Sequence, residues 1–163
     1  MLKYAYYCRT RDVLKKSKKI VVHWNMEESK PQISSVVEFT KGSISLESDQ
    51  APFMGGGGRA PDPIQYCLFG TAACFAATFA SVAAEKGVEA DSLIVSAENH
   101  INLGQSVGLS EEPIVEGVKI TAEVKSNMPK EKIDEVLNLS LKRCPGIYCI
   151  TKPIPLETSL KIS

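Results

Sequence analysis

APDPIQYCLFGTAACFAATFASVAAEKG, residues 60–87, reads as one long helix that is almost free of charge. Asp62 is placed to accept from the first unsatisfied backbone N–H groups, Pro63 occupies a position where a missing N–H is harmless, and Gln65 completes a capping box. Glu85 and Lys86 bring solvent back, and Gly87 supplies the stop. Between Ile64 and Ala84 no side chain is formally charged, so no face is marked for water and burial all round is expected. At 1.5 Å per residue the rod is about 35 Å long, which requires sheets wrapped around it or a second subunit over it. Its Ala, Thr, Cys and Gly content suits close helix packing better than a membrane span, which carries more Leu and Ile.

One stripe of this helix joins Cys67, Thr71, Cys74 and Thr78 at spacings of four and three. A mid-helix thiol with a hydroxyl one turn away on each side has local donors for a thiolate. From spacing alone, a small buried hydrophobe is the commoner role for such a cysteine.

The 163 residues fit one domain, with residues 1–17 read as an N-terminal extension and 18–163 as the domain. Nineteen basic against nineteen acidic side chains leave no field that would draw nucleic acid or a membrane surface, so neither partner is expected. The start lacks an apolar run of signal-peptide length, and a cytoplasmic protein is expected. Five cysteines, an odd number without a secretion signal, speak for reduced or redox-active thiols.

Ahead of the helix, strands are expected at Lys19–Trp24, Ile33–Thr40 and Ser43–Ser48, with a hairpin turn at Thr40-Lys41-Gly42-Ser43. The run MGGGGR should be a flexible loop, since glycine loses the most backbone freedom on ordering. It lacks the ending of a phosphate-binding loop. Its notable residue is Arg59, the arginine nearest to the helix start. Beyond Gly87, Leu93, Val95 and Ala97 share one side of a strand, and Ile114–Val124 forms another with Val118, Ile120, Ala122 and Val124 on one side. Pro129 opens an amphipathic helix, KEKIDEVLNLSLKR, whose inner stripe from Ile133 through Leu137 and Ser140 ends on Cys144. Pro145-Gly146 should stop it, and 153–162 should return as an edge strand.

This order of elements, with Pro63 eleven positions before Cys74 and with Cys144-Pro145 closing the second helix, resembles the OsmC/Ohr family of thiol peroxidases. The resemblance runs from about Lys19 to the C-terminus. It implies an α+β fold in which antiparallel sheets wrap a long central helix within an intertwined homodimer. It also implies that Cys74 attacks an organic hydroperoxide or hydrogen peroxide to give a sulfenic acid. Cys144 then resolves this to a disulfide, and a dithiol reductant, for which a lipoyl-type thiol is one candidate, reopens it. Resolution matters because an untrapped sulfenic acid over-oxidises, and it requires Cα atoms within about 7 Å. No metal or organic cofactor is implied.

Many members carry a glutamate directly after the proline, where it orients an arginine that lowers the thiol pKa. Here that position is Ile64, and the loop from Asn25 to Gln32 offers only Lys30. Cys74 lies too far from the helix start for the dipole to help. Arg59 is therefore the expected cation, with Arg9 and Arg11 as alternatives, and Ile64, Thr71 and Thr78 are expected to face the substrate. Ile64 also motivates another class of function, a catalytically weak dimer that binds a small apolar ligand or senses redox state. A metal site made from Cys8, Cys67, Cys74, Cys144, Cys149, His23 and His100 gains little support from spacing. Cys149 reads as a packing residue.

Overall fold

The start of the long helix is capped as its sequence dictates. In the computed structural model, which describes residues 14–162, the Asp62 N–H donates to Gln65 Oε1 at 2.9 Å, and the Gln65 N–H returns the bond to Asp62 Oδ1 at 2.8 Å. Helix α1 runs Pro63–Glu85 and ends where Gly87 adopts a left-handed φ of 65°. There the Val88 N–H reaches the Ala83 carbonyl and the Gly87 N–H reaches Ala84, which satisfies the last carbonyls in the pattern a left-handed glycine permits. Cys8, Arg9 and Arg11 lie outside the described residues.

The described chain divides into two compact units, 14–68 and 69–162, with the boundary inside α1. The first is an antiparallel meander of β1 (His23–Trp24), β2 (Ile33–Phe39) and β3 (Gly42–Ser48), hydrogen-bonded in that order. Phe39 pairs with Gly42, so the turn is Thr40-Lys41, one residue earlier than the expected Thr40–Ser43 turn, and Gly42 already belongs to β3. The first strand is shorter than expected. Only His23 and Trp24 pair, while the Val21 carbonyl accepts the Ser35 hydroxyl at 2.7 Å.

The glycine run is not a free loop. The Gly56 N–H donates to Ala51, the Gly58 N–H to Gln50, and the Gly57 and Arg59 N–H groups to Asp49 Oδ2 at 3.1 and 3.0 Å. Glycine permits this close folding. A Cβ on Gly56 would overlap the Gln50 carbonyl, and one on Gly57 would overlap the Arg59 guanidinium.

The second unit pairs β4 (Ser92–Ile101) with β5 (Val115–Lys125), antiparallel from Ser92↔Lys125 onward. Helix α2 (Lys130–Arg143) follows, then a short α3 (Pro145–Thr151). Leu93, Val95, Ile120, Ala122 and Val124 lean from the sheet onto a core of Phe75, Phe79, Val82, Ala83, Val88, Val136, Cys144 and Ile147. Each buried Phe contributes about 1.5–3 kcal/mol by leaving water. Val118, expected on the same side of its strand, is 38% exposed.

Helix α1 buries one side rather than all of it. Phe75, Phe79, Ala80, Val82 and Ala83 are buried, but Phe69 is 71% exposed. Within the 69–162 unit one two-stranded sheet and the two later helices cover only part of the rod, so an apolar face that includes Phe69 is exposed. Among the described residues, α1 is the helix long and apolar enough to cross a membrane. Its buried stripe is part of the core of the 69–162 unit.

Two further expectations are corrected. Residues 153–162 do not form a strand. They leave α3 as an exposed extended segment, and Pro153 and Pro155 lack the N–H groups a ladder would use. Cys149 is exposed rather than packed, because α3 turns Ile147 inward and presents Cys149 to solvent.

Candidate active site

Two structural decisions bring the sulfurs together. The amphipathic stripe of α2 buries Val136 and Ser140, and its last helical bond runs from the Cys144 N–H to the Ser140 carbonyl at 2.9 Å. Cys144 then becomes extended, at φ −75° and ψ 118°, as proline demands of the residue before it. Its side chain is only 1% exposed. Pro145 does more than stop α2. Its fixed φ starts α3 in a new direction, with the Tyr148 N–H bonded to the Cys144 carbonyl.

At the start of a helix the first N–H groups have no carbonyl one turn back. Gly146 supplies such a group, and it donates to Cys74 Sγ at 3.3 Å. The approach is close enough to require glycine. A Cβ on Gly146 would lie 3.1 Å from Cys74 Cβ, 3.5 Å from Sγ and 3.5 Å from Thr71 Cα. Cys74 also packs against the core cluster that contains Cys144. All four cysteines among the described residues are free thiols.

Burial pushes the Cys74 thiol above its ordinary pKa, the Gly146 N–H opposes that, and the neighbouring Cys144 and Cys149 thiols push it up further. Desolvation disfavours a thiolate, and one neutral N–H does not offset it. Thr78 does not donate to the sulfur. Its hydroxyl bonds the Cys74 backbone carbonyl at 2.9 Å, so its effect falls on the helix rather than on the thiol. Thr71 lies beside Gly146 on the same helix face as Cys74.

The remaining predicted residues belong to the 14–68 unit. Ile64 is half-buried in the first turn of α1. Arg59 Nη1 lies 3.9 Å from Asp49 Oδ2, on a side chain that is 48% exposed. Asp49 itself is 1% exposed and is held below its ordinary pKa, chiefly by the Arg59 backbone N–H and then by those of Gln32 and Gly57. Within this unit a cavity of about 390 Å³ is bounded by Trp24, Asn25, Lys30, the glycine run and Arg59.

Sequence reasoning missed Asp49 and Gly146. An aspartate shortly before a glycine run was the available signal for the first. Reading Cys-Pro-Gly as the start of a helix, as well as the end of one, was the signal for the second.

An α+β chain with two antiparallel sheets, a long apolar helix and two facing thiols defines a class of small thiol proteins. The family model for OsmC-like protein matches residues 55–159, and the chain belongs to that family. Solved structures share the fold. An OsmC-like protein from Mycoplasma pneumoniae is 19% identical, with a TM-score of 0.62 over 84% of this chain and 89% of that one. An organic hydroperoxide resistance protein OsmC from Legionella pneumophila is 20% identical, with a TM-score of 0.60 over 84% and 92%. An OsmC-like protein of unknown function from Vibrio cholerae is 14% identical, with a TM-score of 0.56 over 84% and 95%. No curated protein sequence matches the chain.

Proposed function

We propose that this protein is a cytoplasmic, dithiol-dependent peroxidase acting on organic hydroperoxides or hydrogen peroxide. The observation that carries the reading is the packing of Cys74 against the cluster that holds Cys144, with the Gly146 N–H on its sulfur. The family and the Legionella relative, named as an organic hydroperoxide resistance protein, agree with it.

The Cys74 thiolate attacks the distal oxygen of the hydroperoxide. The O–O bond breaks, an alcohol leaves with a proton, and Cys74 becomes a sulfenic acid. The Cys144 sulfur then attacks Cys74 Sγ, forming the S–S bond and releasing water. An external dithiol reopens the disulfide by two exchange steps and is itself oxidised. The Gly146 N–H holds the reacting sulfur in place. Thr71, beside Gly146 on the helix face that carries Cys74, is assigned as a wall of the substrate approach. Thr78 fixes the backbone at Cys74.

The open apolar face of α1 favours a homodimer, because a second copy would cover residues such as Phe69 that one chain leaves exposed. Peroxide-treated protein should carry a Cys74–Cys144 disulfide by mass spectrometry, and Cys74→Ser should no longer consume hydroperoxide. Unchanged consumption by Cys74→Ser would end this reading. A weak binder of apolar ligands is favoured instead if turnover is negligible and native mass spectrometry finds a bound apolar molecule, an outcome that the raised thiol and Ile64 would explain.

A further inference from the structure

The Cys74–Cys144 pair has a weakness as a redox couple. Cys144 is 1% exposed, so an external dithiol can open a disulfide built on it only by attack at the Cys74 sulfur. A third thiol, Cys149, stands on the adjacent helix and is exposed.

The register of α3 sets Cys149 on the same side of the helix as Gly146. Gly146 is the α3 residue in contact with Cys74, through its N–H at 3.3 Å and its close Cα approach. Cys149 is three residues further on, and positions three apart on a helix share a face. Helical side chains also lean toward the N-terminus, so Cys149 projects back over the turn that holds Gly146. Ile147, buried on the core, fixes the rotation of α3, and the Thr151 hydroxyl bonds the Ile147 carbonyl at 2.8 Å. Cys144 is a poor partner for Cys149. Five residues along a helix separate Cα atoms by about 8–9 Å, beyond disulfide reach.

We propose that Cys149 is a second resolving thiol for Cys74, giving a solvent-facing Cys74–Cys149 disulfide beside the buried Cys74–Cys144 one. The Cys149 sulfur attacks the Cys74 sulfenic acid. The S–O bond breaks, the S–S bond forms, and hydroxide leaves as water with the Cys149 proton. The hydroperoxide is the oxidant, and the external dithiol restores both thiols. This role rests on the peroxidase reading.

The test uses the full-length Cys144→Ser protein, with Cys144→Ala as a second variant that keeps the buried position apolar. Each is treated with one equivalent of cumene hydroperoxide, alkylated and mapped by mass spectrometry without reduction. The expected product is a Cys74–Cys149 linkage, with dimedone trapping of Cys74 at least tenfold lower than in the variant that also carries Cys149→Ser. A Cys74 sulfenic or sulfinic acid beside a free Cys149 overturns the proposal. So does a link that forms only with diamide, which oxidises paired thiols directly, while the unsubstituted protein forms Cys74–Cys144 with hydroperoxide. If hydroperoxide leaves Cys74 unoxidised in the unsubstituted protein, the peroxidase reading fails and this role fails with it.

Discussion

Two acidic groups in this molecule receive backbone N–H bonds and end on opposite sides of their ordinary pKa. Asp49, at the glycine run, accepts from Gln32, Gly57 and Arg59 and has a guanidinium nearby. Its carboxylate is favoured although the side chain is buried. Cys74 accepts from Gly146 alone, and burial keeps its thiol protonated. Several converging donors outweigh desolvation, whereas a single donor does not. The carboxylate therefore serves as a fixed anchor, and the thiol is a nucleophile held back until it loses its proton.

The largest expected effect separates the two regions completely. Cys74→Ser should lower hydroperoxide consumption by about three orders of magnitude or more, because the hydroxyl cannot replace the sulfur nucleophile. Gly57 and Arg59 amide protection in hydrogen exchange should be unchanged. Next comes pH. With its thiol pKa raised, Cys74 should react about tenfold faster per pH unit through neutrality, in proportion to its thiolate. Stopped-flow hydroperoxide reduction gives this slope. A flat profile would mean that a cation reaches the sulfur in the assembled protein, and Arg59→Ala should then restore the slope.

Asp49 should behave in the opposite sense. Its folded pKa is depressed, so its contribution to stability is present above the unfolded carboxylate value. That contribution is lost as pH falls through the folded value. Asp49→Asn should remove the acid-sensitive component and expose the Gly57 and Arg59 amides to exchange. Amides of β5 report whether the change stays local.

Legibility in the sequence follows the same divide. Local chemistry was readable: Asp62 and Gln65 cap α1, Gly87 ends it, and α2 occupies the residues its apolar stripe marked. Each of these depends on neighbours within a turn or two. Asp49 and Gly146 left only a local hint each, because their roles rest on contacts eight to 72 residues away in the chain. The sequence pattern also treated α1 as uniformly buried, since the absence of charge cannot say how many chains share the covering. At 153–162 the alternation of Ile154, Leu156, Leu160 and Ile162 resembles a strand, but alternation supplies no pairing partner.

The smaller effects sharpen how one donor works at Cys74. Gly146→Ala keeps the N–H but adds a methyl 3.1 Å from Cys74 Cβ, so α3 must shift outward by a few tenths of an ångström. Such overpacking should cost about 1–2 kcal/mol and slow hydroperoxide reduction about tenfold by displacing the donor from the sulfur. Thr78→Val tests the reverse case, a polar group that touches the backbone at Cys74 and not its sulfur. Removing its bond to the Cys74 carbonyl should cost about 1 kcal/mol in urea unfolding. The pH profile should stay in place, because the carbonyl has its helical partner and the thiol keeps Gly146. A shifted profile in Thr78→Val would show that the hydroxyl turns to the sulfur during reaction, and the thiol would then have two donors rather than one.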